Sequence, residues 1–158
     1  MAQNNDFAHV GKQVSRLGER VKAILAPLEE VCRYREQRSD DMAQFTVTPR
    51  NKAALAFHIA VAPGGINLDC EVASIHELPL TEAEIAIALV EAILAGRVAQ
   101  VRQIRANGQP RVTKVYFIDG TGRMIFKQRK SSGWLALTPR AVRTVRLRFA
   151  DYRADFTR

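Results

Sequence analysis

Between Ala53 and Ser74 the sequence alternates twice about a turn, and this pattern constrains the fold more than any other feature. In the first run Leu55, Phe57, Ile59 and Val61 fall on one face, and Ala54, Ala56, His58, Ala60 and Ala62 on the other. In the second run Ile66, Leu68, Cys70 and Val72 oppose Asn67, Asp69 and Glu71. Alternation with period two marks a half-buried strand. Pro63-Gly64-Gly65 supplies the turn, so the pair is a hairpin and the sheet antiparallel. Small residues opposite large ones predict a central strand with a helix lying close over the alanine face. A shorter strand, Phe45 to Thr48, precedes the pair and ends at Pro49. The polar segment Tyr34 to Gln44 reads as a connector.

Two helical patterns flank these strands. Phe7, Val10, Val14, Leu17, Val21, Ile24, Leu28 and Val31 recur at steps of three and four, which is a heptad seam on an amphipathic helix. Asp6 is placed to cap it, Gly11 and Gly18 weaken it, and Pro27 kinks or restarts it. The seam either packs on the chain's own sheet or pairs with a second copy through Val10, Val14, Leu17, Val21 and Ile24. The other helix spans 81–95. Thr81 and Glu84 fit a capping box, Leu80 and Ile85 a hydrophobic staple, and Gly96 a C-terminal stop. Its body is apolar on nearly all sides except Glu91, so it is buried on most faces.

Beyond Gly96 the pattern returns to strands. Val98 to Arg105 fits either period. Val112 to Ile118 and Arg123 to Lys130 form a hairpin about Asp119-Gly120-Thr121-Gly122. Trp134 to Leu137 is a short further strand. The C-terminus has two readings. Thr144 to Phe149 alternates as a strand with Val145, Leu147 and Phe149 inward. Alternatively Thr138-Pro139 starts a helix with Val142, Val145, Phe149, Tyr152 and Phe156 on one face. The helix accounts for more apolar positions and is preferred. The chain is thus expected to be a single α+β domain over 1–158. An antiparallel sheet of about five to seven strands is covered by an amphipathic helix within 1–36 and a central helix over 81–95. A basic β-rich segment, 98–158, follows and includes the C-terminal helix.

Charge is distributed unevenly along this order. The formal net charge is +8, with eighteen Arg and six Lys. Residues 64–96 carry six Asp/Glu and no Lys/Arg, whereas residues 97–158 carry fifteen Lys/Arg and three Asp/Glu. A basic stripe draws polyanions, most commonly nucleic acid. The candidate contacts are Arg123, Lys127, Arg129, Lys130, Arg140, Arg143, Arg146 and Arg148, with Trp134 among them as a base-stacking or core residue. Lys127 and Arg129 share a face of the hairpin. Two plainer readings compete: the arginines reflect a GC-rich genome, or the acidic and basic segments neutralise each other.

Other chemistries find little support. Cys32 and Cys70 lack CxxC spacing and read as reduced thiols, so neither a disulfide framework nor a zinc site is expected. His9, His58 and His76 lie on separate elements without metal-ligand spacing, and His58 reads as a satisfied core histidine. Asp69 and Glu71 read as a solvated strand face. DGTGR at 119–123 lacks the spacing of a phosphate loop, and no GxSxG or HExxH occurs. No cofactor, metal or catalytic residue is expected, and no apolar run is long enough to span a membrane. The polar N-terminus has no signal core, which makes the cytoplasm the expected location.

Two functions follow as expectations. One is a non-enzymatic binder of a polyanion, most plausibly nucleic acid, through the basic C-terminal surface. The other is a dimeric protein-interaction or regulatory module without nucleic-acid binding. The order helix, three strands, helix, several strands resembles the small dimeric chaperones of type III secretion in topology, without a shared motif. That resemblance implies a chaperone-like version of the second function, although those chaperones are typically acidic and this chain is basic.

Overall fold

The computed structural model of the chain describes residues 3–131 and 143–154. These form two helices and nine strands in the order α1 (Gln3–Leu25), β1 (Cys32–Ser39), β2 (Met42–Pro49), β3 (Phe57–Ala62), β4 (Gly65–Cys70), β5 (Ala73–Leu78), α2 (Ala83–Leu94), β6 (Val98–Ile104), β7 (Pro110–Ile118), β8 (Met124–Ser131) and β9 (Arg143–Arg148). The class is α+β with antiparallel pairing throughout, as the alternation predicts. The strands divide into two sheets, β1-β2-β3-β4-β5 and β8-β7-β6-β9.

The seam of α1 is spent inside the molecule. Val14, Leu17, Val21 and Leu25 are buried, and Val10 and Ile24 pack at the margin. The helix lies on β2 and β3. A homodimer through Val10, Val14, Leu17, Val21 and Ile24 would need residues already committed to the core, which removes the seam as a free surface. Pro27 does not restart the helix. It lies in a short 3-10 turn, Ala26–Leu28, that ends it. The helix begins at Gln3, so Asp6 lies in its first turns and does not cap it. Gly18 has a structural reason: a Cβ there would lie 2.9 Å from Ala43 Cβ, where α1 crosses β2.

The large residues of the central hairpin face this helix. Phe45 pairs with Ile59 and Ile59 with Leu68, and all three are buried. The alanine face is therefore the outer one, contrary to the expected helix cover. His58 sits there half-buried, opposite Thr46 and Asp69, and is not a core histidine. The segment read as a connector is mostly β1, paired with β2 from Cys32↔Pro49 to Ser39↔Met42. It lacks an apolar stripe because two of its helix-side residues are charged. Glu36 meets Lys22 at 3.0 Å, and Arg38 meets Glu19. Burial pushes the Glu36 carboxyl up, but the Lys22 hydrogen bond and the nearby Arg38 charge outweigh it and hold the carboxyl below its ordinary range.

Helix α2 is the central helix, with Ala86, Ile87, Leu89, Val90, Ala92, Ile93 and Leu94 buried. It touches α1, β4, β7 and β8, which places it between the two sheets. Its expected capping box does not form. Glu82 is the N-cap and makes no side-chain cap bond, while Glu84 accepts from both terminal nitrogens of Arg20. That contact holds the Glu84 carboxyl below its ordinary range. Both cysteines are free, and burial pushes their thiols up.

The C-terminal helix is not formed over the described residues. Residues 143–148 are β9, and the strand reading is the correct one there. The helix loses because each of these six residues finds a strand partner on β6, from Ala99↔Arg148 to Ile104↔Arg143. The chain then crosses the end of α2 and plugs the core with Tyr152, the largest fully buried side chain among the described residues. Ala150 N–H donates to Ala53 O at 3.0 Å, Tyr152 N–H to Leu94 O at 2.9 Å, and the Tyr152 hydroxyl to Leu55 O. Burial pushes that phenol well above its ordinary range. Gly96, at φ +64, lies directly beneath this crossing; a Cβ there would sit 2.6 Å from Ala150 C and Asp151 N. Among the described residues no helix is long and apolar enough to cross a membrane.

Candidate nucleic-acid interface

The four-stranded sheet turns one face to the core. Val98, Val115 and Phe117 join the hydrophobic cluster, and Phe117 meets Phe126 edge to face at 6.0 Å. Gln128, on the same face, donates to Ser74 O at 2.7 Å and accepts from Ser74 N–H, linking the sheet to β5. The opposite face is set by register, since directly paired residues project to the same side. One row across it reads Lys127, Tyr116, Ala99, Arg148 on β8, β7, β6 and β9. The next reads Arg129, Lys114, Val101, Arg146. Lys127 Nζ stands 5.7 Å from the Tyr116 ring centre, as the shared row requires.

Five cations thus occupy one face: Lys114, Lys127, Arg129, Arg146 and Arg148. Lys127, Arg129, Arg146 and Arg148 are exposed and Lys114 is half-buried. The four strands contain no Asp or Glu. Among the described residues none of the five has an ion-pair partner. The ion pairs present are Arg20–Glu84, Lys22–Glu36, Arg38–Glu19, Arg38–Glu36 and His76–Asp69. The acidic segment therefore does not neutralise this face by direct pairing.

The face has a definite shape. Its exposed cations stand on the edge strands, about 14 Å apart, and successive rows lie about 7 Å apart. The middle is floored by Ala99, Val101 and Tyr116. At the end nearest α2 a cavity of about 290 Å³ opens beside Ala99, Ile118 and Arg148, with Arg97 on its rim. Another cavity, of about 270 Å³, lies by the end of α1; Glu91 and Asp151 there accompany Arg97 and Arg153, so charges of both signs line it.

The structure brings together four of the residues singled out from sequence, Lys127, Arg129, Arg146 and Arg148, and places three others, Lys130, Arg143 and Arg123, elsewhere. Lys130, paired with Thr113, and Arg143, paired with Ile104, point to the opposite side. Arg123 closes the β7–β8 turn, where Asp119 Oδ1 accepts from its N–H at 2.9 Å and from the Thr121 N–H at 2.8 Å. The Thr121 hydroxyl, which donates to the same oxygen at 2.7 Å, and then these backbone bonds hold the Asp119 carboxyl below its ordinary range and make the segment a tight hairpin. Trp134 and Arg140, with the strand expected at Trp134 to Leu137, lie outside the described residues. Lys114 and Tyr116 were not singled out, although the alternation of Val112 to Ile118 opposes them to Val115 and Phe117. Among the described residues no group of His, Cys, Asp and Glu could hold a metal ion. No protein-family model matches the chain, and no curated protein or solved structure matches it.

Proposed function

We propose that the chain is a non-enzymatic nucleic-acid-binding protein that grips phosphates with the outer face of its four-stranded sheet. The observation that carries this reading is a set of five cations, without ion-pair partners among the described residues, on one face of four strands that contain no Asp or Glu. Guanidinium forks suit phosphate oxygens, and two edge pairs with a lysine between them can follow a backbone across the sheet. Contacts of this kind position a nucleic acid without reading its sequence.

The test is a salt titration. Binding weakens with a log–log slope of up to roughly −3.5 on single strands and −4.5 on duplex if all five cations engage. Replacing Lys127, Arg129, Arg146 or Arg148 by Gln lowers the slope by about one each. Lys130→Gln and Arg143→Gln, on the opposite face, leave it unchanged. Absence of binding at ~50 mM salt, or equal losses from both faces, overturns the proposal.

A further inference from the structure

We infer that the ligand of this face is single-stranded nucleic acid, with one base stacked on Tyr116 over the gap at Ala99; this rests on the nucleic-acid reading above. Tyr116 is the one aromatic residue on the face formed by the described strands, and it stands midway between the cationic edges. Its neighbour across the pair is Ala99, which has nothing beyond Cβ to cover the ring from that side. Its same-face neighbour along β7 is Ile118. Ala99 and Ile118 are also walls of the 290 Å³ cavity. An apolar gap therefore begins at the ring and runs toward Arg148 on the cavity wall.

The remaining neighbour explains how the ring is kept before a ligand arrives. Lys127 rests over it at 5.7 Å, a cation–π contact that this half-buried ring makes in the absence of anything flatter. An incoming base displaces the ammonium group, and the phosphate that comes with the base gives that charge a better partner. Every base has a π face, so such stacking tolerates sequence. A duplex keeps its bases stacked inside, leaves the ring and gap unused, and is held by phosphate contacts alone.

The experiment compares a single-stranded oligonucleotide with a duplex of the same sequence, on the full chain, at fixed low salt. Tyr116→Ala weakens single-strand binding by about 5- to 100-fold and leaves duplex binding and both salt slopes unchanged. Tyr116→Phe, which keeps the ring, binds like the parent. Tyr116→Leu, which keeps apolar volume against the strand neighbours, shows the loss of Tyr116→Ala and separates stacking from folding. If Tyr116→Leu and the parent bind the single strand equally, stacking falls and the phosphate-grip reading stands. If the parent binds neither oligonucleotide, both fall together.

Discussion

The two sheets treat charge in opposite ways. Where α1 meets β1 and α2, the cations are matched where they stand. Lys22 meets Glu36, Arg38 meets Glu19 and Glu36, and Arg20 on the covering helix meets Glu84. In the four-stranded sheet the outer-face cations have no carboxylate partner among the described residues. The apolar content differs in parallel. The first sheet buries most of one face under α1 and α2, whereas the second contributes Val98, Val115 and Phe117 to the same core. A protein whose surface cations served only solubility would have no reason to clear one sheet of carboxylates and leave the other mixed. The contrast sets the half that holds the fold apart from the half we propose as the ligand face.

Three experiments break or sharpen that division. The largest effect is at the join. Tyr152→Ala removes a fully buried ring and is expected to cost about 3–5 kcal/mol of stability in denaturant unfolding. Tyr152→Phe strands the Leu55 carbonyl and costs about 1–3 kcal/mol. If both variants unfold with the parent midpoint, the plug is ornamental and the halves are independent. Next is Gly96→Ala, which meets left-handed strain and the backbone of residues 149–151 together, for about 2–4 kcal/mol. A Gly96→Ala protein as stable as its parent would mean that the crossing lies elsewhere.

The smallest effect distinguishes the two kinds of charge by pH. Glu84 and Glu36 have folded-state pKa values below their unfolded ones. Their contribution to stability is therefore present above the ordinary carboxyl range and is lost as pH falls below about 4. Because these pairs lie at the surface, Glu84→Gln shifts the melting temperature by no more than about 2 °C at neutral pH. Nucleic-acid binding, by contrast, is expected to be flat between about pH 6 and 9, since Lys and Arg hold their charge there and no histidine lies on the face. A steep step in binding within that window would place the interface elsewhere.

How far these features can be read from the chain alone depends on how each residue is marked. The helices and the β3–β4 and β7–β8 hairpins are legible because large apolar residues recur at a single period. β1 is not, since it meets α1 through Glu36 and Arg38 and so carries ion pairs where a stripe would be. The outer face of β3 misleads, because half-exposed alanines look like a closely covered surface. Near the C-terminus, Phe149 and Tyr152 fit a helical stripe as well as they fit a strand followed by a plug. Only the ladder to β6 decides between them. The basic face was half visible. Alternation puts Lys127 and Arg129 together, but joining them to Arg146 and Arg148 requires β9 to pair with β6. That choice is made by long-range closure and leaves no local trace.

The late arrival of Tyr152 has a consequence for how the molecule is made. A ribosome releases the chain from its N-terminal side, so both helices and all nine described strands emerge before the residue that seals the space between Leu55 and Leu94. Until then the interior stays open to water. The interior is therefore closed only once β9 has been made and Tyr152 has followed it, and a chain cut short between the two keeps its strands but lacks the plug.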